Sequence, residues 1–214
     1  MQEFAKILGY VGVGSGCLPI SFCLLFFKET LKRLHWTLLL LSLTYFFTNI
    51  LTLLLFLDKN LLQENLFYIH YSIELVLLTV FLFRDEKPKV YVKLAFIGIL
   101  VFTILVTYLI NTQLFKTSDS IFLFSNITLI IFSINVVFNE YYNSETENLT
   151  QNGTFFIASS VLFYAGIQLY FSLFETIIRE YSTQIFYYLW PINQLGGIIY
   201  YISFTYGLWK LAKS

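Results

Sequence analysis

Long apolar runs separated by short polar gaps dominate the chain. The runs are Phe4–Phe27, Trp36–Leu57, Leu66–Phe83, Val90–Ile110, Ile121–Phe138, Phe155–Phe174 and Ile185–Trp209. Each approaches the roughly 20 apolar residues that a helix needs to cross the hydrocarbon of a bilayer, with the third and fifth the shortest. They are continuously apolar rather than alternating, which predicts helices and argues against a membrane β-barrel. The gaps between them are Lys28–His35, Asp58–Asn65, Arg84–Lys89, Asn111–Ser120, Asn139–Thr154 and Glu175–Gln184. They carry nearly all the charge, and none is long enough for a soluble domain. The expected fold is all-α: a polytopic membrane protein, one seven-transmembrane-helix bundle spanning residues 1–214. Any binding or catalysis must then use the bundle or its short loops.

Composition strengthens this picture. Only 12% of the 214 residues are charged and 57% are hydrophobic, with a mean hydropathy of +0.72. A soluble domain carries about 25% charged residues because it must cover its surface with something polar. The 13 basic and 13 acidic residues cancel, so no basic field exists to attract nucleic acid. Cys17 and Cys23 lie six apart in one apolar stretch, a spacing that does not suit a disulfide on one helix.

Basic residues set the orientation. The first, third and fifth gaps, the start of the fourth run and the C-terminus hold Lys28, Lys32, Arg33, Arg84, Lys87, Lys89, Lys93, Lys210 and Lys213, against Lys6, Lys59, Lys116 and Arg179 on the other side. Nine against four places the N-terminus outside and the C-terminus in the cytoplasm of a multi-pass protein in the cell membrane, a bacterial inner membrane being expected. Gly14-Ser15-Gly16-Cys17 has the outline of a lipoprotein cleavage box but lacks the large aliphatic residue three before the cysteine and a basic flank. The sequons Asn148-Leu149-Thr150 and Asn152-Gly153-Thr154 fall on the inner side, where no glycan is expected.

Several small residues are packing devices. Gly9, Gly12 and Gly16 share one face of the first span, and Ala158, Ala165 and Ser172 repeat at heptad spacing in the sixth. Small residues let helix backbones approach closely in lipid. Packing within the bundle is the plain reading, and a homo-oligomer through Gly9, Gly12 and Gly16 is the other. Pro19 and Pro191 are expected to free backbone carbonyls and kink their helices.

Glu74 is the most informative residue. It falls at the middle of the third span, where a charge costs roughly 3 kcal/mol or more, so it must be protonated, paired or facing water. His70 lies four residues earlier, one turn away on the same face. At about 1.5 Å of rise per residue, Asn49, Asn126, Gln168, Asn193 and Gln194 all fall in the outer half of their spans, near or above Glu74. Asn135 is the exception, in the inner half. The expected site is therefore an outer-half polar pocket floored by Glu74, with His70, Asn49, Asn126, Gln168, Asn193 and Gln194 as ligand-binding residues and Tyr71, Tyr170, Tyr188 and Trp190 near its mouth. The plain alternative is that each amide only ties neighbouring helices, an ordinary device worth about 0.6 kcal/mol. His35, beside Lys32 and Arg33, reads as interfacial.

Much chemistry can be set aside. A catalytic zinc site usually needs three protein ligands, and the two histidines lie on opposite sides. No metal, cofactor or catalytic set is expected. There is no G-x-S-x-G elbow. A retinal Schiff base needs a lysine inside the last span, and Lys210 lies at its cytoplasmic end. Paired broken helices of an inverted-repeat transporter are not matched by Pro19 and Pro191, which sit in the first and last spans.

The seven spans, the outside N-terminus, Glu74 in the third span and Trp190-Pro191-Ile192-Asn193 opening the seventh resemble the seven-helix sensory modules of bacterial membrane receptors, such as those heading sensor histidine kinases. The resemblance covers the whole chain and implies a receptor-like protein. No kinase or output domain follows Ser214 in the sequence, so a signal is expected to pass to a separate partner through short cytoplasmic loops and the tail Lys210–Ser214.

The leading expectation is a membrane receptor or sensor that binds a small or lipidic ligand and shifts between two helix arrangements. A small-solute or proton-coupled transporter with Glu74 titrating, and a lipid-modifying enzyme with Glu74 as general acid or base, are the alternatives. The topology is directly testable. A cysteine at Asn60 should react with an impermeant thiol reagent on intact cells and one at Lys87 should not; the reverse labelling defeats the orientation.

Overall fold

In the computed structural model of the chain, the structure describes residues 2–26, 36–55, 62–82, 118–143, 149–181 and 183–213. Among them 96% are helical and no strand is present. Uninterrupted apolar runs favour this outcome, because a helix satisfies every backbone donor and acceptor within its own segment. The helices are α1 (Gln2–Ser15), α2 (Leu18–Leu25), α3 (Trp36–Leu55), α4 (Leu62–Leu82), α5 (Ser118–Asn143), α6 (Gly153–Tyr181) and α7 (Thr183–Lys213), with a 3₁₀ turn at Leu149–Gln151. The expected span Val90–Ile110, the gaps Lys28–His35 and Arg84–Lys89, and His35 lie outside the described residues.

The first expected span is two helices, and Pro19 is the reason. Proline has no N–H, and its ring clashes with the carbonyl four residues back. That carbonyl belongs to Ser15, where α1 ends. The Gly16 and Cys17 amides turn instead to the carbonyls of Val13 and Gly14, at 3.2 and 3.1 Å. Pro19 then sits in the first turn of α2, where a missing donor does no harm. By contrast, α7 runs unbroken through Pro191. Cys17 and Cys23 are free thiols.

The helices outrun the apolar stretches that announce them. Asn139–Asn143 continues α5, and the supposed gap Glu175–Gln184 is helical up to Tyr181 and again from Thr183. Hydropathy marks where a helix is apolar, not where its backbone bonding stops. The N-terminus of α6 is fixed by Asn152, whose Oδ1 accepts the Phe155 amide at 3.0 Å, an N-cap in the usual sense. The same side chain donates through Nδ2 to Glu140 Oε2 of α5 at 2.5 Å, so the cap also ties two helices.

Neighbouring helices pack in chain order from α3 to α7, and α7 also lies against α1 and α2. The core between them includes Leu38, Leu41, Leu78, Phe81, Ile157, Val161, Phe204 and Leu208. Ala158 and Ala165 of the heptad stripe are buried in it. A close backbone approach joins α6 to α7. A Cβ on Gly153 would come 2.6 Å from the Gly207 carbonyl oxygen, and one on Gly207 would come 2.6 Å from Ile157 Cγ1. Glycine at both positions is what allows the two backbones to meet.

Among the described residues, two segments are long and apolar enough to cross a membrane, Ile7–Leu25 and Gly153–Phe171. Trp36–Leu51 and Ile73–Leu82 are shorter apolar segments of the same kind.

The glycine contact makes a prediction about stability. Gly153→Ala forces a methyl group onto backbone atoms and should destabilise the purified protein by about 1–3 kcal/mol, the usual cost of overpacking. Gly166→Ala, with nothing within 4 Å of its added methyl, should leave thermal unfolding unchanged or slightly raised. Equal melting temperatures for wild type and Gly153→Ala would show that the α6–α7 approach is looser than described.

Candidate functional site

Glu74 lies on α4 and is 3% exposed. Its carboxylate is held by two tyrosines from two other helices. The Tyr45 hydroxyl of α3 donates to Oε1 at 2.6 Å, and the Tyr200 hydroxyl of α7 reaches the same oxygen at 3.3 Å. The two hydroxyls are also hydrogen-bonded to each other. One carboxylate therefore joins α3, α4 and α7. A buried carboxylate demands such donors, since leaving it unmatched is far more costly than the modest net gain of each bond.

The other carboxylate oxygen faces histidine. His70 Nε2 is 3.8 Å from Glu74 Oε2, as expected for residues one turn apart. On its far side, His70 Nδ1 lies 3.0 Å from Thr48 Oγ1 of α3. Thr48 also bonds its own helix, with Oγ1 donating to the Thr44 carbonyl at 2.8 Å. A polar chain thus runs from Thr48 through His70 and Glu74 to the tyrosine pair.

Aromatic rings fix this cluster from the sides. Tyr45 makes edge contacts with Tyr200, Tyr201 and Phe204 at centroid distances of 5.9, 5.3 and 5.8 Å. Tyr164 of α6 stacks on Tyr200 at 4.6 Å and 11°. Such pairs add about 0.5–1.5 kcal/mol beyond burial. They also leave the hydroxyls little freedom to leave Glu74.

The expected amides fall around this cluster in separate groups. Asn49, one turn beyond Tyr45 on α3, donates through Nδ2 to the Tyr45 carbonyl at 2.7 Å and to the Tyr201 hydroxyl at 3.4 Å. It also fills the space left by Gly16, where any Cβ would collide with its amide. Gln194 lies against Gly12, with Oε1 2.7 Å from the place of a Cβ. The Gly12 and Gly16 faces are thus occupied from within the chain, while a Cβ on Gly9 meets nothing within 4 Å. Gln168 of α6 donates to Asn193 Oδ1 of α7 at 3.0 Å. Asn126 is buried on α5, which packs on α4. Asn135 is exposed. Of the aromatics expected at a mouth, Tyr170 is 49% exposed and packs on Phe171 and Phe174, and Trp190 is half-buried. The side chains of Tyr71 and Tyr188 lie outside the described set.

Tyr45, Thr48, Tyr200 and Tyr201 are absent from the expected site, although a signal for them exists. Tyr45 and Asn49 are four apart. Tyr200 and Tyr201 follow Asn193 and Gln194 by seven, two turns along the same stripe of α7. Sorting polar residues by depth alone hides this, because it ignores which face each residue occupies. Among the described residues no group of three or more His, Cys, Asp or Glu side chains could hold a metal ion.

No protein-family model, curated protein or solved structure matches the chain.

The tyrosine pair is testable by a double-mutant cycle on purified protein. Tyr45→Phe and Tyr200→Phe should each lower unfolding stability by about 1–3 kcal/mol, the range for bonds to a charged or buried partner. Because they share one acceptor, the double variant should fall short of their sum by at least about 0.5 kcal/mol. Strict additivity would mean the two hydroxyls do not act on the same carboxylate.

Proposed function

We propose that the chain is a seven-span membrane protein of a bacterial cell membrane, N-terminus outside, acting as a receptor or sensor for a small or lipidic ligand taken up in the outer half of the bundle. Its membrane placement is supported by the inverted distribution of polarity. Glu74, Ser42, Asn126, Ser133 and Gln168 are buried, while Leu24, Leu25, Trp36, Phe47, Ile131 and Ile202 face outward, each more than half exposed. Large apolar side chains facing outward while polar ones are buried suit a membrane contact. Ile7–Leu25 and Gly153–Phe171 supply two spans by length and composition. The remaining five rest on the sequence pattern.

The observation that carries the receptor reading is the meeting of α3, α4 and α7 at one carboxylate. A ligand shifts an equilibrium only through a difference in its affinity for two states, so a receptor needs an element with two arrangements. Three helices joined by Glu74, Tyr45 and Tyr200 form such an element: the bonds are made or broken together, and breaking them lets α7 move against α3 and α4. Asn49 and Gln194 lie on the same stripes and connect this tie to the outer half, where a ligand competing for their amides would bias it. Output passes to a separate signalling protein at the cytoplasmic ends of the helices.

Native mass spectrometry of the full chain in mild detergent tests the reading. Wild-type protein should retain a bound molecule of small-solute or lipid mass, and Asn49→Leu or Gln168→Leu should reduce its occupancy about tenfold, matching about 1.4 kcal/mol of lost bonding. Wild type carrying no such molecule, or equal occupancy in the variants, overturns it.

A further inference from the structure

Direct contacts put the last turns of α7 level with the end of α5 and the start of α6. Asn152 bonds Glu140 of α5 at 2.5 Å. Its neighbour Gly153 lies against Gly207 and Leu211 of α7. Tyr206 of α7 meets Phe156 of α6 edge-on, with ring centroids 4.8 Å apart. Aromatic side chains cover the outside of this end: Phe138, Tyr141, Tyr142 and Tyr206 all turn outward.

Two lysines sit among these rings. Lys213 Nζ lies 4.1 Å from the Trp209 ring centroid, and Lys210 Nζ lies 5.2 Å from that of Trp209 and 5.4 Å from that of Tyr206. Such cation–π contacts hold the ammonium groups against the flank of the helix instead of letting them extend past its end. Among the described residues no carboxylate pairs with either lysine. Glu140, the acid fixed at this end, gives Oε2 to Asn152. Depth decides what meets the two charges. Tyr200 shares the Glu74 carboxylate, which the sequence places at the middle of its span. Lys210 and Lys213 follow Tyr200 on the same helix, about 15 and 20 Å further along at 1.5 Å per residue. Half of a bilayer's hydrocarbon core is about 15 Å. The ammonium groups therefore stand in the phosphate layer, with the rings of Tyr206 and Trp209 at the hydrocarbon edge.

We propose that Lys210 and Lys213, with Trp209 and Tyr206, form a docking surface for the headgroup of an anionic phospholipid, which anchors this end of α7 in its leaflet. A phosphodiester supplies the negative charge that the two ammonium groups lack. Its oxygens suit the Trp209 indole N–H, which can only donate. The outward rings give the acyl chains an apolar surface while keeping their polar tips at the headgroup level. A net-negative headgroup is favoured over a zwitterionic one, whose own cation returns the charge that the lysines repel. A soluble acidic protein would meet charges projecting past the helix end, whereas these lie along its flank. The proposal rests on the membrane placement given above and is independent of any ligand in the outer half.

The experiment is tryptophan fluorescence of the full chain in lipid nanodiscs. The chain has three tryptophans, and Trp36→Phe with Trp190→Phe leaves Trp209 as the reporter. Phosphatidylglycerol brominated near its headgroup, in a phosphatidylcholine background, should quench Trp209 more strongly than equally brominated phosphatidylcholine. Lys210→Gln and Lys213→Gln should each lower the relative affinity for phosphatidylglycerol about fivefold, and Lys210→Arg with Lys213→Arg should preserve it. Equal quenching by the two lipids overturns the proposal and leaves the membrane placement standing; quenching by neither overturns both. A preference that survives in the glutamine double variant also overturns it, because the attracting charge then lies elsewhere. Native mass spectrometry of the unsubstituted chain, released from bilayers of equal parts of the two lipids, gives the same answer without any replacement. Retained phosphatidylglycerol should outnumber retained phosphatidylcholine, and equal retention overturns the proposal. A lipid kept by Asn49→Leu and lost from the glutamine double variant belongs to this surface. The opposite dependence assigns it to the outer-half ligand site and overturns the docking surface.

Discussion

A carboxylate shut inside an apolar helix bundle constrains everything near it. Glu74 cannot reach water, so its oxygens must find partners among side chains that other helices deliver. Tyrosine suits the task because one end is apolar enough for the core and the other is a hydroxyl donor. Tyr45 and Tyr200 are almost fully buried and meet at one oxygen. That requirement sets the rotation of α3, α4 and α7 about their axes: turning any of them by one residue position, about 100°, withdraws a donor or the acceptor.

Close backbone approach then determines how the other helices gather around α7. Gly153 and Gly207 let α6 lie directly on it. Gly16, in the break that Pro19 creates between α1 and α2, leaves the space that Asn49 fills. The small residues and the amides are thus parts of one device, in which a missing side chain on one helix receives a polar one from another. Helices associating where the surroundings are as apolar as their own surfaces depend on such packing and on interhelical bonds rather than on hydrophobic exclusion. The outward Leu24, Leu25 and Ile202 alongside the inward Gln168 and Ser133 fit that regime.

The bonds at Glu74 differ in kind from ordinary core contacts. Ordinary core contacts grade smoothly as helices shift, whereas the bonds at Glu74 share an acceptor and are lost as a set. Stacking of Tyr164 on Tyr200 extends the group to α6, so a change at the carboxylate reaches four helices without a long path.

Some of this was legible in the chain. The apolar runs determined that the described residues are helical, because uninterrupted hydrophobic sequence has no strand periodicity. Pro19 determined the break near Ser15, because a missing N–H and a ring clash act locally. The rarity of charge singled out Glu74, and helical spacing placed His70 beside it. The identity of Glu74's cross-helix partners was decided only by the tertiary structure. Sequence gives the depth of a residue along its own helix, but not the angle at which that helix faces its neighbours. Tyr45 and Tyr200 are 155 residues apart, and only the assembled bundle brings their hydroxyls to one oxygen. The same holds for Gln168 and Asn193, whose direct bond depends on relative rotation, a property of the assembled bundle and not of any single helix.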